Sequence, residues 1–193
     1  MYISGETILE LEKKYGKPEE QSFAYEMTER EFGVVLGSQK HGRAHDVTLF
    51  IIKDGQVAVI KKPMYPPGAY RAPSGGIAPG EPFEEGALRE AYEETGLVVS
   101  LEKYILRAKV RFSHGSDVIN WTSHVFTASS IGSELKPVDT HEIAEARFVT
   151  VDEVMGSIKK ELLASGSTGL RYRSELNDSV MRRLIEEGLM GSP

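Results

Sequence analysis

Cysteine is missing from the chain altogether, which excludes disulfides, thiol nucleophiles and cysteine-ligated zinc. No apolar run approaches the roughly 18 residues of a membrane helix, and no leader-like segment opens the sequence, so a soluble, cytoplasmic protein is expected. Long basic runs are lacking too. With a formal net charge of −6, neither a nucleic-acid polymer nor a membrane is the expected partner. Internal repeats and low-complexity segments are equally absent. What the 193 residues do hold, at 40% hydrophobic, is enough apolar side chain for one domain with a sizeable core.

Chemistry concentrates between Gly75 and Leu97, GGIAPGEPFEEGALREAYEETGL. Gly75 and Gly76 allow a tight turn in which no Cβ blocks the approach of a ligand. Pro82 suits the first helical position, Glu84 and Glu85 lie near the positive helix end, and Gly96 suits a left-handed stop. Within the helix, Glu90, Glu93 and Glu94 project over an arc of roughly 100°. Ala87, Leu88, Ala91, Tyr92 and Thr95 fall on another arc, available to a sheet. Gly86 costs about 1 kcal/mol relative to Ala inside a helix, which suggests close helix–sheet packing there. Three carboxylates this near repel one another, with only Arg89 at hand to offset them. Such a cluster normally needs divalent cations, and oxygen-only ligands suit Mg²⁺, or Mn²⁺ as a substitute. Most Glu-rich helices are merely solvated faces; the frame around this one sets it apart.

That frame is G-x5-E-x7-R-E-U-x-E-E-x-G-U, with U an aliphatic residue. It is filled by Gly75, Glu81, Arg89, Glu90, Ala91, Glu93, Glu94, Gly96 and Leu97, Ala91 being smaller than usual. Here the chain resembles the Nudix hydrolases, whose signature this pattern is. The resemblance implies an α/β (α+β) fold, an α/β/α sandwich around a mixed sheet. It implies Mg²⁺ or Mn²⁺ held by Glu90, Glu93 and Glu94 with Gly75 alongside, and hydrolysis of a pyrophosphate bond in a nucleoside diphosphate linked to another moiety. Glu81 and Arg89 are implied to brace the turn against the helix, and Gly76 and Gly96 to shape it. Glu93, Glu94 and Arg89 form the catalytic set within the motif. Outside it, Glu142 is favoured over Glu145 in the loop before a later strand, and Glu93 or Glu142 would take the proton of the attacking water. The run APSGGIAPGE resembles ADP-ribose and nucleotide-sugar pyrophosphatases, so those substrates are preferred over nucleoside triphosphates and dinucleoside polyphosphates. A nucleotide sensor without hydrolysis is the alternative of another class, against which the complete set of glutamates speaks.

The remaining chain supplies the setting. TILELEKK (7–14) has helical spacing, ended by Gly16 and Pro18, and 22–37 mixes short extended pieces with charge. Residues 1–45 read as an N-terminal extension, by analogy one that shapes the pocket or a homodimer. Residues 46–155 read as the core and 156–193 as C-terminal helices. His41 and His45 are four apart where no helix is indicated, so a metal-ligand pair is not expected there. VTLFIIK (47–53) and QVAVIKK (56–62), joined by Asp54-Gly55, read as a hairpin covered on both faces. The following segment, 63–76, has four prolines and reads as a loop. Its Tyr65, Tyr70 and Arg71, with Arg43, Lys61 and Lys62, are candidates to stack a base or contact phosphates, unless the loop is simply a rigid seal. Residues 98–112 and 118–128 read as long strands, with Trp121 and His124 on opposite faces. Thr150–Glu153 has the form of a capping box opening a helix to about Leu163, SGSTG (165–169) reads as a linker, and Asn177 or Asp178 as the cap of a last helix.

Overall fold

Asp54 and Gly55 both adopt left-handed backbone (φ 49° and 74°), the conformation a two-residue hairpin turn requires. They join β2 (His45–Lys53) to β3 (Gln56–Lys61) in this computed structural model, which describes residues 3–39, 42–132 and 134–191. The two strands stay in register only at Ile52↔Val57 and Lys53↔Gln56 and then part. The loop that follows folds back into the gap. Arg71 bridges Ile60 on β3, and β4 (Ser74–Gly75) pairs with Val47 and Thr48 on β2. The hairpin is thus split by a wedge whose far end is the glycine turn before the signature helix.

Three more long strands and a short one complete a mixed sheet: β1 (Glu19–Glu26), β5 (Val99–His114), β6 (Asp117–Ser130) and β7 (Glu145–Val149), in the order β1-β5-β6-β2-β3-β7 with β4 on β2. The pairs β1/β5 and β6/β2 are parallel and the others antiparallel. Alternation along β2 sends Val47, Leu49 and Ile51 to one face and Phe50 to the other, and both faces are covered, as the near-continuous apolar run predicts. On the first face lie α1 (Gly5–Tyr15) and α3 (Phe83–Thr95), burying Leu11, Ala87 and Ala91. On the second lie α2 (Glu29–Ser38), a helical segment running from α4 (Val151–Glu153) through a π-turn (Val154–Ile158) into α5 (Lys159–Ala164), and α6 (Thr168–Glu186). Leu176, Val180, Met181 and Leu184 of α6 are fully buried. The expected α/β/α sandwich is the observed one.

Local expectations fared unevenly. The capping box of Thr150 and Glu153 is formed. Residues 22–37 are not mixed extended pieces, since α2 occupies their second half. Gly33, Gly37, Val34 and Val35 are weak helix formers, and tertiary contacts decide the matter: Glu31 accepts hydrogen bonds from Ser167 Oγ (2.9 Å) and the Thr168 amide (2.7 Å). SGSTG is no linker, because Ser167 caps α6, and Asn177 and Asp178 sit inside that helix. Pro82 is the cap of α3 and not its first helical residue. Leu88 and Tyr92 of α3 face solvent. A Cβ at Gly86 would meet Glu81 Oε2 at 2.7 Å and Ile77 Cδ1 at 2.8 Å, so the close approach is to the preceding turn and not to the sheet. His41 lies outside the described residues.

Trp121 and His124 do face opposite sides of β6. Trp121 joins the core under α6. Beneath α3, His124 is hydrogen-bonded to His45 (Nδ1 to His124 Nε2, 2.9 Å) and to the Tyr104 hydroxyl, which accepts from Arg107 Nε at 3.1 Å. Burial, reinforced by the neighbouring His45 and Arg107, lowers the His124 pKa from 6.5 to about 3. A histidine whose folded pKa lies below its unfolded one binds fewer protons when folded. Its contribution is therefore complete above pH 6.5 and is lost as pH falls toward about 3. The urea midpoint of the wild-type chain should fall more between about pH 7.5 and pH 5 than that of His124→Gln; equal losses would remove this histidine as the cause.

At the end of α3, Gly96 is left-handed (φ 75°), and a Cβ there would lie 2.3 Å from the Lys136 carbonyl oxygen. Both the backbone conformation and a main-chain neighbour resist substitution, so Gly96→Ala should destabilise the fold by about 2 kcal/mol or more, read from denaturant unfolding.

Candidate active site

The signature helix enters the site through its own brace. Arg89 Nε and Nη2 donate to Glu81 Oε1 (2.8 Å) and Oε2 (3.0 Å), and Nη2 also reaches the Gly76 carbonyl at 3.0 Å. Glu81 Oε2 in turn accepts the Ala78 amide at 2.7 Å. One guanidinium therefore ties the glycine turn to α3. Its remaining nitrogen, Nη1, donates to Glu90 and Glu93 at 2.9 Å each. Hydrogen bonds to the carboxylates of Glu81, then Glu90, hold Arg89 firmly charged.

Glu94 is used differently from its neighbours. It is buried, accepts Arg71 Nη2 at 3.0 Å and takes the Ser74 amide at 2.7 Å. Arg71 also donates to the Ala72 carbonyl and to Ser74 Oγ, 2.8 Å each. Burial alone would lower the arginine's pKa, but the Glu94 carboxylate, joined by Tyr65, outweighs it and raises the pKa. This pair fastens the wedge to α3, and removing one partner of a buried pair costs roughly 3–5 kcal/mol. Arg71 is thus buried and held in place rather than free on a surface loop, although it lines the cleft described next. Tyr70 is likewise a core residue, its ring covered by the Arg147 guanidinium at 4.5 Å.

A cleft of about 380 Å³ opens over this framework. Glu90, Glu93 and Glu94 line one side with Gly75 and Gly76; Glu142 and Asp139 approach from the loop before β7; Ser38, Arg43, Asp46, Lys62, Arg71, Ser74, Trp121 and Arg173 complete it. The later loop is held against α3 by main chain, since the Val138 and Asp139 amides both donate to the Glu93 carbonyl at 3.0 Å. Asp139 Oδ1 then accepts the His141 and Glu142 amides, a local turn that aims Glu142 at Lys62, 2.8 Å away. Glu145 starts β7 opposite Lys61, outside the cleft, and Tyr65 faces a neighbouring cavity. Asp46, Asp139 and Arg173 were not anticipated. Asp139 carries a readable turn signal, but nothing in the sequence marks Arg173, whose partners Asp46 (3.1 Å) and Thr48 (3.3 Å) lie far away in the chain.

The paired glycines have separate tasks. A Cβ at Gly75 would fall 1.8 Å from Glu90 Oε2, and one at Gly76 would fall 1.4 Å from Arg43 Nη1. Absent side chains seat a carboxylate beside the turn at one position and a guanidinium at the next. Arg43 is further fixed by Nε donating to the Ser38 carbonyl at 3.0 Å and by the Trp121 ring, 5.8 Å from its guanidinium carbon.

A family model describing the NUDIX domain matches residues 41–167, most of the chain. The chain belongs to the Nudix family. Among curated proteins it is 26% identical over 121 residues to the NAD-capped RNA hydrolase NudC of Chromobacterium violaceum, covering 62% of this chain and 43% of that protein. It is 27% identical over 141 residues to the NudC of Stutzerimonas stutzeri, covering 72% and 46%. The chain thus spans less than half the length of these relatives. A NUDIX hydrolase from Nitrosomonas europaea superposes with a TM-score of 0.53 at 21% identity, over 77% of this chain and 73% of that one, which shows a shared fold.

Nudix hydrolases generally use divalent metals. Among the described residues, no three acidic or imidazole side chains converge closely enough, as they stand, to hold an ion. Sharing a helix face does not bring the three carboxylates to a point, because Arg89 engages Glu90 and Glu93 while Arg71 and Ser74 engage Glu94. The donor set nevertheless suits a hard cation. Burial pushes the Glu90 carboxyl above its ordinary value against the pull of Arg89, and the Glu94 and Glu93 charges add to the rise, a strain that a cation relieves. Gly75→Ala should displace the Glu90 side chain from Cγ outward, since Oε2, Cδ and Cγ would lie 1.8, 1.9 and 2.6 Å from the new Cβ, and should lower stability by about 1–2 kcal/mol. Mn²⁺ affinity measured by calorimetry should drop about tenfold or more; unchanged affinity would remove Glu90 from the ligand set.

Proposed function

We propose that the cleft hydrolyses a pyrophosphate bond in a nucleoside diphosphate linked to a second moiety, with ADP-ribose or a nucleotide sugar preferred. The observation that carries this reading is the meeting, in one cleft, of the acidic ridge of α3 with Glu142 and with the cations Arg43, Lys62 and Arg173. Glu90, Glu93 and Glu94 would hold Mg²⁺ or Mn²⁺, which when bound supplies charge neutralisation at the diphosphate and a more acidic water. The chain's own part is to bind and orient. Arg43, seated by Gly76, meets the phosphate oxygens; the Arg71–Glu94 pair keeps the turn rigid; Glu93 accepts the proton of the attacking water. Glu142 is mostly exposed and paired with Lys62, which suits it to the rim and to closing on substrate. Cleavage of NAD-capped RNA, the activity in the names of the two curated relatives, is one case of a nucleoside diphosphate joined to a second moiety. NAD therefore belongs among the substrates to be tried.

A product-resolved screen with Mg²⁺ over ADP-ribose, nucleotide sugars, NAD, nucleoside triphosphates and dinucleoside polyphosphates tests the reading. Release of nucleoside monophosphate from ADP-ribose or a nucleotide sugar is the expected result. Glu93→Gln should lower kcat by about a hundredfold or more with nucleotide binding retained, and Glu142→Gln by less than about tenfold. Nucleotide binding without any product would replace the enzyme by a sensor.

A further inference from the structure

Four cations line the cleft, and three of them are already engaged. Lys62 is paired with Glu142 at 2.8 Å, Arg71 with Glu94 at 3.0 Å and Arg173 with Asp46 at 3.1 Å. Arg43 is the exception, having no carboxylate partner among the described residues.

The contrast extends to individual nitrogens. Arg71 donates through Nη1 to the Ala72 carbonyl and Ser74 Oγ and through Nη2 to Glu94. Arg173 donates through Nη1 to Thr48 and through Nη2 to Asp46. In both, the two-pronged end that matches a carboxylate or a phosphate is occupied. Arg43 is tethered from behind instead. Its Nε donates to the carbonyl of Ser38, the last residue of α2, where the negative end of a helix favours a cation. The Trp121 ring and the space left at Gly76 hold the guanidinium without spending its donors. Nη1 and Nη2 therefore keep their hydrogens for a ligand.

Net charge sharpens the distinction. The acidic ridge and Asp139 repel an anion that arrives before any cation. A positive charge in contact with a carboxylate does little to offset that repulsion at a distance, whereas an unpaired one does. Lys62 is the most loosely engaged of the three, since Glu142 is mostly exposed and exposed pairs contribute little. It offers a point charge on a flexible stem, however, and not a fork.

We infer that Arg43 is the group by which the cleft holds an anion without help from a metal ion, gripping two oxygens of a single phosphoryl group with Nη1 and Nη2. The inference rests on taking the cleft as a phosphate site, and it adds a division of labour: a phosphate can be seated before the acidic ridge is charged with metal. It also makes Gly76 a positioning residue, because a side chain there would take the fork's place.

Trp121 is the only tryptophan of the chain and stands beside the Arg43 guanidinium, so its emission reports the fork's occupancy, with calorimetry as an independent readout. In EDTA, titration of the full chain with inorganic pyrophosphate should saturate. Arg43→Gln breaks no ion pair, so its urea midpoint should stay at the wild-type value while pyrophosphate affinity falls about tenfold or more. Arg43→Lys keeps the charge, loses the fork and should remain at least about fivefold weaker than wild type. Lys62→Gln and Arg173→Lys should each change affinity by less than about threefold. Gly76→Ala should match Arg43→Gln, and the double variant should lose no more than either alone. The inference is overturned if the wild type binds pyrophosphate only with Mg²⁺ present, if Arg43→Gln or Arg43→Lys binds as tightly as wild type, if Lys62→Gln or Arg173→Lys costs as much as Arg43→Gln, or if the Gly76 and Arg43 losses add. Absence of hydrolysis in the substrate screen would count against the enzymatic reading and leave this titration intact.

Discussion

The geometry of the cleft depends on one buried ion pair, Arg71 with Glu94. A sheet whose central hairpin opens after two register positions would normally leave a fissure lined with unpaired main chain. Here the fissure is filled by Arg71–Gly75, and the filler is locked by a guanidinium that satisfies a carboxylate, a carbonyl and a hydroxyl at once. Two charges taken from water are costly unless every lone pair and proton finds a partner. Here the Ser74 amide supplies the second hydrogen bond to the carboxylate. The arrangement makes Glu94 a structural member of the helix's acidic edge as well as a candidate ligand, and the glycine turn inherits its position from it.

From that anchor the site is assembled by short-range steps. Arg89 ties the turn to the helix, Gly75 and Gly76 clear space for Glu90 and Arg43, and the Glu93 carbonyl fixes where the later loop begins. Acidic and basic groups are interleaved around one cleft, Lys62 beside Glu142 and Arg173 beside Asp46.

How much of this the sequence discloses depends on distance along the chain. Periodicity and turn chemistry are local, and they identify the hairpin at Asp54-Gly55, the signature helix with its left-handed stop, and the capping box at Thr150. The helix α2 is obscured because Gly33, Val34, Val35 and Gly37 weaken its local pattern, while the contact of Glu31 with the start of α6 and the burial of Phe32 form only in space. The start of α6 is missed for the reciprocal reason: Ser167 looks like part of a flexible run until its partner is known. At the site, Glu90, Glu93 and Glu142 are legible by spacing and by resemblance, whereas Arg173 and Asp46 meet only through the fold. Tyr70 and Arg71 show the reverse case, in which the burial of a side chain is hidden from the sequence. In a loop dense with proline they look like surface recognition groups, yet a wedge inserted into a sheet is interior, and its side chains are claimed by the core and by Glu94.

The attachment of the 138–142 segment to the helix is made by peptide groups, two amides on one carbonyl. Such a footing is indifferent to spelling: any residue at position 93 except one that distorts the helix presents the same oxygen, and any non-proline at 138 and 139 presents the same donors. The visor over the cleft is in that sense interchangeable. Its tip can lengthen, shorten or trade charge for bulk while the attachment to the helix stays where it is, so the rim of the cleft can change before anything beneath it has to alter.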